Sequence, residues 1–284
     1  MKVRYILILT LVVAISLLGC RRNFDITATN AITSLAQIPA TEIKTDSLII
    51  RDSVTEGENT GLVTISAEYP VSGNFFVVNS IFEWMSEELG GTFKNPSANP
   101  KEMFDYYSNT FRKDLAENIL PDLQAELQAF RGVEFKKVAE TDKFVTYTYG
   151  GSGYSGGAHG FATYFGQTFR KSDGRRINYD IFRSDKQSDL VKMIKAGIEE
   201  QYFESETALE DAITMNDYFG LLPLPQYSPV FLENGVMFVY QQYEITCYAA
   251  GMPQCILPYE QIRPLLTQTG LDLLSNEALA ADKR

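Results

Sequence analysis

The stretch Tyr147-Thr-Tyr-Gly-Gly-Ser-Gly-Tyr-Ser-Gly-Gly-Ala-His-Gly-Phe161 decides the fold, because it connects two segments that read as neighbouring strands. Lys143–Tyr149 alternates between apolar and polar residues before it, and residues 161–170 alternate after it, with aromatic residues at 161, 165 and 169. Alternation with a period of two is typical of a half-buried strand. The glycine-rich stretch is therefore expected to turn the chain between two antiparallel strands.

The composition of this stretch also indicates a binding loop. Between Tyr147 and Gly157 there are three tyrosines, five glycines, two serines and one threonine. Tyrosine supplies rigid amphipathic contact area, and glycine and serine supply an adaptable backbone, as in antibody paratopes. A wide hairpin turn with glycines at positive φ explains the same composition, and the two interpretations are compatible. The candidate binding residues are Tyr147, Tyr149, Tyr154, His159 and Phe161.

A serine hydrolase is not predicted, although Gly153-Tyr-Ser155-Gly-Gly157 fits the pattern of a nucleophile elbow. The elbow requires a helix after the serine, whereas the residues that follow read as a strand. His159 is the only histidine of the chain and lies four residues from the serine, whereas a catalytic triad normally gathers its members from distant elements. No catalytic residue is predicted.

Elsewhere the pattern alternates between helical and strand periods, which predicts an α+β fold with helices packed on an antiparallel sheet, arranged as two sub-domains of similar size. Asn234-Gly235 is the strongest hairpin signal. A turn is expected at Ala249–Gly251, between two extended pieces. The predicted strands are Leu62–Tyr69, Val133–Val138, Lys143–Tyr149, 161–170, Val230–Leu232 and Val236–Tyr240, and the predicted helices are Val78–Leu89, Lys101–Ile119 continuing past Pro121 to Gly132, Ser184–Tyr202 and Tyr259–Gln268.

The N-terminus reads as a lipoprotein signal. Lys2 and Arg4 precede an apolar run that is too short for a transmembrane span and has the length of a signal-peptide core. The run ends at Leu17-Leu-Gly-Cys20, which resembles a bacterial lipobox and implies lipid modification of Cys20. Arg21 after the cysteine favours an outer-membrane anchor facing the periplasm. The predicted order is signal peptide 1–19, tether 20–58, folded domain 59–270 with halves of about 59–140 and 141–270, and tail 271–284.

The net charge of the chain argues against nucleic acid as a partner. Removal of the signal peptide leaves 23 of the 25 basic residues against all 36 acidic ones, a net charge of about −13. A nucleic-acid-binding protein would carry a basic surface instead. An acidic chain can accelerate association with a cationic protein. One histidine and no close cysteine–histidine set predict no metal site, and no cofactor motif is present.

The two other cysteines are Cys247 and Cys255, eight residues apart across a predicted turn. In an oxidising compartment this spacing is compatible with a hairpin disulfide, and two buried free thiols remain the alternative.

Three segments in this order resemble the extracytoplasmic domain of the anti-sigma factor RsiV and of the peptidoglycan deacetylase PdaC. They are Gly156-Gly-Ala-His-Gly160, the Asp173-Gly174 turn leading to Ile177-Asn-Tyr-Asp-Ile-Phe182, and Gly235-Val-Met-Phe-Val-Tyr-Gln-Gln-Tyr243 with its continuation to Gly251 and Ile256-Leu-Pro-Tyr259. Glu68-Tyr-Pro70 and the helix after it are similar to the first half of that domain, so the resemblance covers roughly residues 57–270.

The resemblance implies an α+β domain outside the cytoplasmic membrane. It favours binding of an extracytoplasmic protein, with lysozyme as the example or envelope-stress sensing as the purpose. The alternative is that the same tyrosines bind peptidoglycan or another carbohydrate without catalysis. In either case the expected link to the membrane is the lipid on Cys20.

Overall fold

The computed structural model describes residues 42–124, 126–203, 206–213 and 222–274. They form an α+β domain, as predicted, with a five-stranded sheet and a three-stranded sheet. The strands are β1 (Lys44–Glu56), β2 (Asn59–Ser72), β3 (Gln128–Glu140), β4 (Phe144–Tyr154), β5 (Phe161–Arg170), β6 (Val230–Phe231), β7 (Gly235–Val239) and β8 (Gln254–Pro258). The α-helices are α1 (Phe75–Leu89), α2 (Pro100–Asp114), α3 (Gln187–Gln201), α4 (Glu206–Ala212), α5 (Tyr259–Ile262) and α6 (Gln268–Leu271). None of these helices is long and apolar enough to cross a membrane.

The large sheet has the order β1-β2-β3-β4-β5. Neighbouring strands are antiparallel except β2 and β3, which run parallel. A parallel pair needs a crossover connection, because the chain must return to the end of the sheet where the first strand began before the second strand can start. Residues 73–127 make this crossover and carry α1 and α2.

Helices α1 and α2 cover one face of the large sheet. Helix α1 begins at a cap in which Asn74 Oδ1 accepts the N–H of Phe76 at 2.9 Å, and it ends at Gly90 with a φ of +128°. Trp84, its central aromatic residue, contacts Phe135 of β3 and Phe169 of β5 edge-on. This helix and its glycine stop confirm the sequence prediction, because the apolar residues at helical spacing are those that the sheet buries.

The small sheet lies against the other face of β4 and β5, where Phe144 of β4 contacts Phe231 of β6, and α3 packs on β8. Gly166 of β5 allows the close approach, because a Cβ there would be 2.9 Å from Val230 of β6 and 2.8 Å from the carbonyl oxygen of Tyr147. Phe231 donates its N–H to Thr168 Oγ1 at 3.0 Å and so joins the two sheets. The hairpin predicted at Asn234-Gly235 is the connection between β6 and β7.

Several predicted boundaries are wrong. The tether was expected to reach residue 58, but Lys44–Glu56 pairs along its whole length with β2. The division near residue 140 falls between β3 and β4, which are neighbours in one sheet. The tail was expected from residue 271, but Leu273 and Leu274 are buried. The signal peptide, Cys20 and the first part of the tether lie outside the described residues.

Three predicted secondary-structure elements also differ from those of the structure. The helix expected to continue to Gly132 stops, because Gln128–Glu140 is taken into the sheet beside β2. The extended piece expected after Tyr243 is a turn followed by a 3-10 turn at Tyr248–Ala250. The helix predicted over Tyr259–Gln268 ends at Ile262, and a 3-10 turn at Arg263–Leu265 separates it from α6.

Candidate functional site

The glycine-rich stretch is mostly strand. Strand β4 continues through Gly150, Gly151 and Gly153 to Tyr154, so only residues 155–160 form the turn. Alternate residues of β4 face the helices, and this places Tyr147 and Tyr149 in the core with 0% and 8% exposure. Tyr149 packs its ring against Phe135 and Phe165. The prediction that Tyr147 and Tyr149 contact a partner is therefore wrong.

The remaining three candidates lie at the surface. Tyr154 is half-buried and donates its hydroxyl to the carbonyl oxygen of Gly157 at 3.0 Å. Gly156 and Gly157 have φ values of +96° and +95°, a region that only glycine enters at low cost. The turn exposes His159 and, at the start of β5, Phe161.

A segment from the second half of the chain meets this turn. The side-chain oxygen of Gln241 accepts hydrogen bonds from Thr163 Oγ1 at 2.8 Å and from the N–H of Tyr164 at 3.1 Å. Gln242 Oε1 accepts the N–H of Ala162 at 3.0 Å. The two glutamines thus cap the outer edge of β5, which would otherwise expose unpaired backbone groups.

The same contact assembles three aromatic rings, which we call the aromatic surface: His159, Tyr243 and Tyr248. The ring of His159 stacks on that of Tyr248 with centroids 3.8 Å apart. Nδ1 of His159 lies 2.8 Å from the carbonyl oxygen of Gly160, which can only accept, so Nδ1 carries the proton in the neutral ring. Nε2 then accepts the hydroxyl of Tyr243 at 3.2 Å.

Tyr243 is held in an unfavourable backbone conformation. Its φ is +64°, which a bulky residue rarely adopts, and its side chain is 50% exposed. The next residue holds the segment in place, because the carboxylate of Glu244 accepts the N–H groups of Gln241 at 2.7 Å and Gln226 at 2.8 Å. Burial raises the pKa of Glu244, and these two donors oppose the rise. Such outliers persist where surrounding contacts over-determine them, and they cluster at functional sites.

Sequence reasoning missed Tyr243 and Tyr248 as surface residues, although both lie in a segment that carries the family resemblance. A signal was available in Gln241-Gln-Tyr243-Glu, which is too polar for a buried strand yet lies between two apolar ones. Their contacts with His159 depend on tertiary packing over separations of 84 residues for Tyr243 and 89 for Tyr248, which no local pattern encodes.

Ser155 lies in the turn between β4 and β5, so a strand follows it where a nucleophile elbow has a helix. Both ring nitrogens of His159 already have partners, as described above.

The predicted disulfide is wrong, because Cys247 and Cys255 are free thiols. Cys247 is exposed next to Tyr248, whereas Cys255 of β8 points at α3, with its sulfur 3.6 Å from the carbonyl oxygen of Ile194. Burial raises the pKa of the Cys255 thiol to about 12.

Two concavities lie elsewhere on the described surface. One, of about 530 Å³, is polar and contains the ion pairs of Glu140 with Lys137 and Lys171. The other, of about 540 Å³, lies between the end of β2 and the start of α2 and includes Tyr69 and Phe82. Within the described residues, no three His, Cys, Asp or Glu side chains are grouped to hold a metal ion.

Comparison with known proteins agrees with this architecture. Residues 179–260 match the model of a family described as a protein of unknown function, DUF3298. A solved member of that family from Bacteroides fragilis is 20% identical, with a TM-score of 0.66, over 82% of this chain and 97% of that chain. A DUF3298 family protein from Pseudomonas aeruginosa is 12% identical, with a TM-score of 0.55, over 83% of this chain and 98% of that chain.

No curated protein is significantly similar to this chain. At these identities the solved structures show the fold alone. Tyr243 and Tyr248 lie inside the matched region, whereas His159 lies before it. The chain thus contains a region similar to DUF3298, within a domain that shares the fold of two solved proteins of that family.

Proposed function

We propose that this protein is a lipid-anchored extracytoplasmic binding module that recognises a protein partner through the aromatic surface. The observation that carries the proposal is the position of Tyr243, which is half exposed and held at positive φ against His159. A chain without a use for this ring would be more stable with a residue that tolerates this conformation. Tyrosine is also among the residues enriched at binding hot spots.

The rings are well suited to binding because they are fixed before the partner arrives. His159 and Tyr248 are stacked, and Glu244 holds the segment that carries Tyr243. Association then requires little further ordering of side chains, and this lowers the entropic cost of binding. Phe161 flanks the surface with an exposed ring and extends the apolar area.

A cationic protein is the favoured partner. The mature chain carries a net charge of about −13, which attracts a basic protein over a distance set by the ionic strength. The resemblance to the extracytoplasmic domain of RsiV adds a specific candidate, since that domain binds lysozyme. Peptidoglycan is the second candidate, because exposed tyrosine rings with free edges can also pack on sugar rings.

Binding kinetics with a basic c-type lysozyme test the first candidate, and sedimentation with purified peptidoglycan tests the second. If charge steers the encounter, raising salt from about 0.05 to 0.5 M shortens the Debye length from roughly 14 to 4 Å and should slow association more than it accelerates dissociation. No detectable binding at about 10 μM, corresponding to less than about 7 kcal/mol, would exclude lysozyme. Co-sedimentation with peptidoglycan in its place would support the second candidate.

Lipid anchoring is tested separately by metabolic labelling with a fatty acid. The wild-type chain should incorporate the label at Cys20, and Cys20→Ala should not. Label retained on Cys20→Ala would contradict the anchor.

A further inference from the structure

An exposed apolar tip lies at one end of the domain. Phe75 and Phe76 begin α1 with 72% and 61% of their side-chain surfaces exposed, and their rings contact each other edge-on at 5.7 Å. Val71, at the end of β2, is also exposed. We call Val71, Phe75 and Phe76 the apolar tip. Single exposed apolar residues are common, but two adjacent aromatic residues that are both mostly exposed often mark an interaction site.

The fold holds the apolar tip rigidly. Gly73 has a φ of +152°, and a Cβ there would lie 2.3 Å from Ile43. Asn74 caps α1 through the N–H of Phe76. Gly174, in the turn after β5, packs so tightly that its Cβ would lie 2.4 Å from the carbonyl oxygen of Phe76. The two phenylalanines are therefore displayed by a tightly packed turn.

The chain enters the domain beside this tip. Lys44, the first residue of β1, pairs with Ser72, and Ile43 packs against Gly73. The segment that precedes residue 42, which includes Cys20, is therefore attached to the domain at this end. The aromatic surface lies elsewhere, because Phe161 and Arg170 mark opposite ends of β5, about 30 Å apart at the rise of a strand.

The charges that border the tip are largely neutralised. Arg170 pairs with Asp173, and the almost fully buried Lys171, whose carbonyl oxygen accepts Asn74 Nδ2 at 3.4 Å, pairs with Glu140 at 2.7 Å. Neither strong attraction to an anionic surface nor strong repulsion from it is expected here. An apolar contact on a locally neutral surface suits the boundary between phospholipid headgroups and acyl chains, where aromatic side chains insert.

We propose that the apolar tip rests in the interface of the bilayer to which the chain is anchored. This inference rests on the lipid anchor of the proposed function. Lipid attachment keeps the tip at high local concentration near the membrane, so a weak apolar contact suffices to orient the domain. With the tip on the bilayer, the aromatic surface faces away from it.

The test places a fluorescent reporter at the tip of the full-length lipidated protein. The natural chain has one tryptophan, Trp84, which is buried between Phe135 and Phe169 and serves as the baseline. Phe76→Trp and Phe75→Trp add a ring at the tip, and Phe161→Trp adds one at the far end of β5 as the matched control. Each variant is reconstituted into phosphatidylethanolamine vesicles with and without a brominated phosphatidylcholine, which quenches tryptophan in contact with the acyl region.

We expect brominated lipid to remove most of the additional emission of Phe76→Trp and Phe75→Trp, and none of that of Phe161→Trp. Equal quenching at both ends, or none at the tip, would overturn the inference. A blue-shifted tip emission that brominated lipid does not quench would also overturn it and would indicate a protein contact, such as a second copy of this chain. Vesicle flotation of the wild-type protein distinguishes the two proposals. A protein that floats although its tip is not quenched refutes only the contact of the tip with the bilayer. A protein that does not float lacks the lipid anchor on which both proposals rest.

Discussion

The hydroxyl of Tyr243 lies 3.2 Å from Nε2 of His159, although the two residues are 84 positions apart in the chain.

The first prediction is that Tyr243→Ala and Tyr248→Ala each lower affinity for the partner. Loss of a hot-spot ring costs about 2 kcal/mol, close to a thirtyfold change in the dissociation constant. Tyr106→Ala is the matched control, since Tyr106 is an exposed tyrosine on α2. Equal loss in all three variants, measured by binding kinetics, would contradict a role for the aromatic surface.

The second prediction is that one substitution at Tyr243 raises the stability of the fold and weakens binding of the partner. Tyr243 has a φ of +64°, and asparagine tolerates this region far better than tyrosine. We expect Tyr243→Asn to raise the free energy of unfolding by about 0.5–1 kcal/mol while weakening partner binding. Urea unfolding and binding kinetics on the same samples measure both effects. A variant that is clearly less stable would show that contacts of the tyrosine ring outweigh the backbone strain.

Much of the fold could be predicted because the relevant signals are local. The hairpin signal Asn234-Gly235 lies at the connection between β6 and β7, where Gly235 begins β7 and its carbonyl oxygen accepts the N–H of Leu232. The apolar residues of α1 and α3 recur at helical spacing because each helix buries one face. Phe161, Phe165 and Phe169 alternate because β5 has two different faces.

The glycine-rich stretch is predicted as a turn, although most of it is strand, and the reason is physical. Glycine has no side chain and gives no alternation signal, so a strand that contains it reads as a turn. In the fold the missing side chains leave room for neighbours, since a Cβ at Gly153 would lie 2.5 Å from the ring of Phe161. Tyr147 and Tyr149 are then core residues of β4, and the surface aromatic residues come from a distant segment.

The third prediction tests the close contact between the sheets. Gly166→Ala places a Cβ 2.8 Å from the carbonyl oxygen of Tyr147 in β4 and 2.9 Å from Val230 in β6, so β5 would have to move away from one of these two strands. Overpacking of this kind costs about 1–3 kcal/mol. Gly150→Ala, in neighbouring β4, meets only ordinary contact at 3.9 Å and should be nearly neutral. The measurement is chemical denaturation of both variants. Equal denaturation midpoints for Gly166→Ala and Gly150→Ala would contradict the close contact at Gly166.

The fourth prediction concerns acid stability. Burial raises the pKa of Glu140, but hydrogen bonds from Lys171, the N–H of Ile43 and Lys137 outweigh burial and hold this pKa below its ordinary value. A depressed folded pKa stabilises the fold above the unfolded pKa, and this stabilisation is lost as pH falls through the folded pKa. Glu140→Gln should cost about 2–4 kcal/mol near pH 7, because Lys171 stays buried without its partner.

The measurement is urea unfolding of wild type and Glu140→Gln from about pH 7 to about pH 3. The difference between the two proteins should shrink toward the acid end. Glu117→Gln is the control, since Glu117 makes an exposed 3.8 Å pair with Lys113 and should change stability little. A difference that stays constant with pH would contradict the role of the ionised carboxylate.

The fifth prediction separates the two free thiols. Cys247 is exposed and should react with a thiol reagent in the native protein, whereas Cys255, with a pKa of about 12 and a buried sulfur, should react only after unfolding. Cys247→Ser should abolish the fast phase and leave the slow one. If neither thiol reacts in the denatured, unreduced protein, the two cysteines are bonded after all.

The single parallel ladder of the large sheet affects how the domain folds. Strands β1 and β2 form a local hairpin, and β3, β4 and β5 follow one another along the sheet, so each group can assemble from short-range contacts. The β2–β3 ladder closes only after residues 73–127 have been brought into a loop, and long-range closure slows folding. Until then the edge of β2 from Thr60 to Ala67 is unpaired. A newly made chain therefore exposes a template for aggregation until this ladder closes.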